Sequence, residues 1–203
     1  MTHSFKSDDL QKIVMAAVSH FVKCPVDSFP PAKEFMGGGV YALYYLGDSP
    51  LYVELKLMEV KPDSIPIYVG KANPSGWRTA RISATGKKRL YNRIREHYRN
   101  VVAAENLDPK DFKVKYMVLD GDEGGLIGPV EAALIQKFKP LWNNVIDGFG
   151  NHTPGERRFN QAKSGWDVLH PGREWAKKCK GPAPAYDNLI AKIKSYTEKI
   201  KKK

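Results

Sequence analysis

Between residues 8 and 23 the apolar side chains Leu10, Ile13, Val14, Ala17, Val18 and Phe21 recur at three- and four-residue spacing. That period predicts an amphipathic helix, and Cys24-Pro25 ends it. Residues 25–38 are rich in Pro and Gly and predict a loop. The period then changes. GVYALYYLG at 39–47 is β-branched and aromatic and predicts a strand. Across 51–57, Leu51, Val53, Leu55 and Leu57 alternate with Tyr52, Glu54 and Lys56, the pattern of a strand buried on one side. IPIYVG at 65–70 predicts a third strand, and Asn73-Pro74-Ser75-Gly76 marks a loop. A basic helix is expected at about 86–104, a strand at 112–119, and a helix at 126–138 that ends before Pro140. In that helix Val130, Leu134, Ile135 and Phe138 face inward. Residues 147–174 are polar, Gly-rich and aperiodic, and Leu189, Ile193, Tyr196 and Ile200 mark a last amphipathic helix at 187–200. The order helix, three strands, helix, strand, helix, loop, helix suits an α+β domain with a small mixed sheet flanked by helices.

The size and composition fit that picture. The chain has 203 residues, of which 42% are hydrophobic, enough for one domain with a real core. No apolar run approaches the ~18 residues of a membrane span. The opening MTHSFKSDDL lacks the basic-then-apolar pattern of a secretion signal. Cys24 and Cys179 stand far apart with no CxxC spacing, which argues for a reducing, cytoplasmic setting and against a disulfide framework or structural zinc. The net charge of +11 favours a polyanionic partner, nucleic acid first. The surplus is uneven: residues 71–99 carry nine basic side chains and one acid, residues 102–131 seven acids and three lysines, and residues 172–203 ten basic side chains and three acids. Two basic segments around an acidic one suit a phosphate-facing surface.

Motifs narrow the chemistry. GxSxG, P-loop, HExxH and GxGxxG patterns are all missing from the sequence, so serine hydrolysis, a nucleotide cofactor and zinc proteolysis have no support. The informative residues are more dispersed. Gly39-Val40-Tyr41 opens one predicted strand, and Tyr68-Val69-Gly70 closes another, followed by Lys71. Arg93 and His97, four apart, project from one face of the basic helix. Glu131 is the single acid of the 126–138 helix, and Asn143 follows that helix. Taken singly, each has an ordinary reading: a packing tyrosine, a satisfied histidine, a boundary glutamate, a turn asparagine.

Taken in order, the six positions resemble the GIY-YIG nucleases. GVY and YVG stand for the two signature tripeptides, with Val for each Ile, a swap that keeps a β-branched residue. Tyr41 and Tyr68 match the two motif tyrosines, Arg93 and His97 the helical pair, Glu131 the metal-binding acid and Asn143 the late asparagine. Tyr41 and Tyr68 lie 27 residues apart, farther than in small members of the family, so 48–64 reads as an insertion of extra strands. KANPSGWRTARI (71–82) and the segment 150–175 resemble one branch in particular, the GIY-YIG type II restriction endonucleases that recognise CCGCGG. The resemblance implies one domain over 1–203. It has a core at about 39–146 with a small three-stranded, mainly antiparallel sheet, an N-terminal helix at 8–23, and a DNA-recognition and C-terminal extension at 147–203.

The implied activity is cleavage of double-stranded DNA at a palindromic G/C-rich site in a bacterial cytoplasm. Glu131 would hold one Mg²⁺ per active site, with Mn²⁺ able to substitute, because a hard oxygen ligand suits an ion that keeps its waters and phosphate oxygens. Arg93 would bind the phosphate through its planar fork. A phenol with an ordinary pKa of about 10 is a weak base, so Tyr41 as general base would need help from Lys71 and relay through His97. Tyr68 would orient the water or Tyr41, and Asn143 would hold the site by hydrogen bonds. Candidates for base reading are Arg78, Arg81, Asn151, His152, Arg157, Arg158, Asn160 and Gln161, and candidates for backbone contact are Lys87, Lys88 and Arg89. A palindrome implies two active sites and hence a homodimer. The competing readings are a repair or homing-type GIY-YIG nuclease and a non-catalytic DNA-binding protein. The homing case is weakened because the sequence carries no zinc-finger pattern or repeated DNA-binding module.

Overall fold

The structure, a computed structural model, describes residues 7–74, 76, 87–153 and 159–201. The N-terminal helix α1 spans Asp8–Lys23, capped by Ser7, whose side chain accepts a hydrogen bond from the Leu10 amide. Its predicted apolar stripe is only partly used: Val18 and Phe21 are buried, whereas Leu10 and Ile13 are exposed. The predicted 25–38 loop contains a two-residue strand, β1 (Asp27–Ser28), which extends the sheet. The other strands are β2 (Gly39–Tyr45), β3 (Tyr68–Ala72) and β4 (Phe112–Val118). They form one four-stranded sheet in the order β1-β4-β2-β3, with every pairing antiparallel. The three core strands β2, β3 and β4 are antiparallel as expected, β1 adds a fourth from outside the core, and the sheet is not mixed.

β2 is the central strand and is buried along its whole length, which is why its sequence runs apolar without alternation. Val40, Ala42 and Tyr44 pack with α1 and with α3 (Ile127–Phe138), through Ile127, Val130 and Leu134. The alternate residues Tyr41, Leu43 and Tyr45 join a second core on the other face. There they meet α2 (Arg89–Ala103), α4 (Leu141–Asn144), α5 (Gly165–Leu169) and α7 (Tyr186–Lys201) through Leu90, Ile94, Trp142, Trp166 and Leu189. Between α5 and α7 lies the short α6 (Glu174–Lys177). The aperiodic 147–174 stretch thus ends in helical structure over part of its length.

The 51–57 strand does not form; a single 3₁₀ turn over Val53–Leu55 takes its place. The expected parity also fails at two positions. Val53 is half exposed, while Tyr52 is fully buried. Its hydroxyl accepts from Trp142 Nε1 (3.0 Å) and lies 2.5 Å from His170 Nε2. His170 Nδ1 is 2.8 Å from Asn106 Oδ1, which can only accept. The chain of donors therefore runs from Trp142 through Tyr52 and His170 to Asn106. Among the described residues no helix is long and apolar enough to cross a membrane.

Candidate active site at the free edge of the sheet

The first half of the site lies on the α2 face. Tyr41 pairs across the ladder with Gly70, the last residue of YVG. A Cβ at Gly70 would sit 2.5 Å from Tyr41 Oη and 2.9 Å from Tyr68 Cε1. Glycine is therefore what lets the two motif tyrosines pack over this strand, with ring centroids 6.1 Å apart. From α2, His97 closes the group at 5.6 Å from the Tyr41 ring and 5.1 Å from the Tyr68 ring. Phe149, from the loop after α4, stacks on His97 at 4.4 Å. The next residue, Gly150, passes so close that a Cβ there would lie 2.8 Å from Tyr68 Oη. Tyr41 and His97 are both fully buried beneath this cover.

One turn before His97, the Arg93 fork faces the same loop. Its Nη2 donates to the Gly150 carbonyl (2.9 Å), and its Nη1 reaches Glu96 Oε2 (2.9 Å) and His152 Nε2 (2.8 Å). The phosphate-binding candidate is thus already engaged by two electron-rich groups and an imidazole.

The second half lies on the α3 face. Lys71 follows Val69 in the alternation of β3 and points, as Val69 does, away from Tyr41. Its Nζ forms a 2.6 Å ion pair with Glu131 Oε2. Burial raises the Tyr68 phenol, Arg93 opposes that shift, and the Glu131 charge from the other face adds to it. Because β3 is an edge strand, Val69 would otherwise leave its backbone groups free. Asn143 fills that gap: its Oδ1 accepts from the Val69 amide and its Nδ2 donates to the Val69 carbonyl, each at 2.8 Å. All seven catalytic candidates therefore converge on the two faces and the free edge of one short strand.

Burial sets the protonation states. It raises the Tyr41 phenol well above its ordinary value, Tyr68 adds to that, and Arg93 opposes it. Burial, reinforced by the positive charges of Arg93 and Arg173, holds His97 well below the ordinary imidazole value. The group is thus a protonated phenol beside a neutral imidazole. Among the described residues neither Tyr41 Oη nor either His97 ring nitrogen has a hydrogen-bond partner.

The DNA-contact candidates are scattered around this centre. Asn151 and His152 continue the covering loop and are exposed, with His152 standing on Arg93. Asn160 and Gln161 are exposed near the bridge between Ala162 and Gly181. Lys87 and Arg89 are exposed at the start of α2, and Lys88 is paired with Glu34. Arg78, Arg81, Arg157 and Arg158 lie outside the described residues. Sequence reasoning missed Glu96, Phe149 and Gly150. The i, i+3 spacing of Glu96 from Arg93 was the one available local signal; the other two approach only through the fold.

An antiparallel sheet carrying GVY and YVG on adjacent strands, with helices on both faces, defines a GIY-YIG nuclease core. A model of the Eco29kI GIY-YIG domain matches residues 33–197, and the chain belongs to that family of restriction-endonuclease domains. It is accordingly a nuclease whose substrate is DNA. No curated protein matches the chain.

Proposed function

We propose that the protein is a type II restriction endonuclease that hydrolyses both strands of a palindromic G/C-rich site, CCGCGG, as a homodimer with one Mg²⁺ per active site. The observation that carries this reading is the convergence of Tyr41, Tyr68, Arg93 and His97 on one side of β3 with Lys71 and Glu131 on the other.

The donor set suits such an ion. Glu131 supplies one carboxylate on the face of the sheet where Lys71 already provides positive charge, so a divalent cation there would replace or join that ammonium. When bound, the metal neutralises charge on the scissile phosphate. The chain's own residues account for the rest. The Arg93 fork exchanges Glu96 and the Gly150 carbonyl for phosphate oxygens. Tyr41 takes the proton of the attacking water and passes its own to neutral His97, a transfer that requires the opened site, because burial opposes both the phenolate and the imidazolium. Tyr68 orients Tyr41 or the water. Since Tyr41 lies fully buried, side chains over the site have to swing aside when DNA docks, while the 148–151 backbone keeps its place. Asn151, His152, Asn160 and Gln161, together with Arg78, Arg81, Arg157 and Arg158, supply base contacts; Lys87, Lys88 and Arg89 bind backbone.

The test is incubation with supercoiled plasmid, with and without Mg²⁺, followed by sequencing of fragment ends. Discrete Mg²⁺-dependent fragments ending within CCGCGG are expected. Random nicking, or intact plasmid with the native sequence, would refute the proposal.

A further inference from the structure

Arg173 belongs by sequence to the basic C-terminal segment and so to the surface that should face phosphate. The structure puts it inside, only 3% exposed. Its guanidinium lies 4.6 Å from the ring centroids of both Trp166 and Trp175. Nε donates to Asp167 Oδ1 at 2.6 Å, Nη2 to the Gly148 carbonyl at 3.0 Å, and Nη1 to the carbonyls of Phe149 (3.4 Å) and Asn151 (3.5 Å). Asp167 is itself held by Ser164, whose hydroxyl donates to Oδ2 at 2.6 Å. One side chain therefore binds three of the four carbonyls from 148 to 151. The fourth, Gly150, turns the opposite way and accepts from Arg93.

We propose that Arg173 is a positioning residue for Arg93 and His97. It acts by fixing the 148–152 loop, which seats Phe149 on the imidazole and brings Gly150 and His152 to the guanidinium. The role in cleavage rests on the nuclease reading; the hold on the loop does not. The chemistry requires arginine. A planar fork aims several donors in fixed directions and stacks between rings, whereas a lysine supplies one compact charge. The pair with Asp167 removes the cost of an isolated buried charge. Arg173 is thus unavailable to DNA, and it holds the loop through the backbone carbonyls it binds.

The test uses Arg173→Lys and Asp167→Asn in the full chain. Hydrogen exchange of the DNA-free proteins is read first, since it needs no activity. Faster exchange confined to 147–153 and the adjoining turn of α2, with β2 and β4 unchanged, is expected. Uniform acceleration over the sheet, or no change in the loop, would overturn the proposal. Single-turnover cleavage is read second. A loss of roughly 10- to 100-fold in rate at saturating protein is expected from misplaced catalytic groups, together with weaker cognate binding as Asn151 and His152 lose their place. In the Arg173→Lys background, Arg93→Ala should cost much less than in the native chain, because coupled sites are non-additive. Full additivity, or a lowered melting temperature with an unchanged rate, would reduce Arg173 to a packing residue. If the native protein cleaves no DNA while the loop is freed as expected, the nuclease proposal falls and the hold on the loop stands.

Discussion

At the scale of single residues, Gly70 ties the motif to its purpose. The last residue of YVG faces Tyr41 across the ladder, and the phenol occupies the space a methyl group would need. Gly70→Ala should therefore cost about 1–3 kcal/mol through overpacking. Urea denaturation would measure that loss, and cleavage should fall with it as the two tyrosines part. Tyr41→Phe removes only the hydroxyl, which has no hydrogen-bond partner among the described residues. Its stability should stay close to native while single-turnover cleavage drops by about 10²-fold or more, the usual scale of general-base catalysis. Near-native rates in Tyr41→Phe would take the base role from that phenol and leave His97 as the candidate.

At the scale of elements, β3 is short, lies at the edge, and has the outward backbone of Val69 satisfied by one side chain. Asn143→Ala leaves the Val69 amide and carbonyl without their 2.8 Å partners, and removing such bonds from a partly buried pair costs about 1–3 kcal/mol. The expected signature is a lower urea midpoint together with faster hydrogen exchange in β3. The connection between β2 and β3 shows the limit of pattern reading. Alternation over 51–57 is compatible with a strand, yet no neighbouring strand lies beyond β3 to receive it. The Tyr52 hydroxyl is buried against Trp142 and His170 instead, and Val53 turns outward, while Leu51, Leu55 and Leu57 stay packed against the core.

At the scale of the whole molecule, two buried imidazoles and the distribution of charge dominate. Burial lowers His170 from the ordinary 6.5 to about 3, with Arg173 adding to the shift, and His97 moves in the same direction. Below pH 6.5 the unfolded chain takes up protons that the folded chain refuses. Stability should accordingly be full above pH 6.5 and decline as pH falls from 6.5 towards 3. Thermal melts across that range would show it, and a flat profile would contradict neutral buried histidines. On the outside, Lys87 and Arg89 stand exposed at the start of α2. Replacing either by Ala should reduce the slope of log affinity against log salt by about 1 and leave sequence preference intact.

Read by itself, the sequence was enough for the elements whose cause is local: the α1, α2, α3 and α7 periods, the apolar run of β2, and the two tripeptides on adjacent strands. It also supplied, through motif order, the residues that gather at β3. Tertiary structure alone decided that Lys71 pairs with Glu131 across 60 residues of chain, that Asn143 caps the edge of β3, and that Phe149 and Gly150 cover His97 and Tyr68. It also turned Arg173 inward from a basic segment and joined Tyr52 to a histidine 118 residues away. The physical reason is the range of the forces involved. Period and propensity act within a few neighbouring residues, whereas burial, charge pairing and backbone satisfaction are set by whatever the folded chain brings alongside.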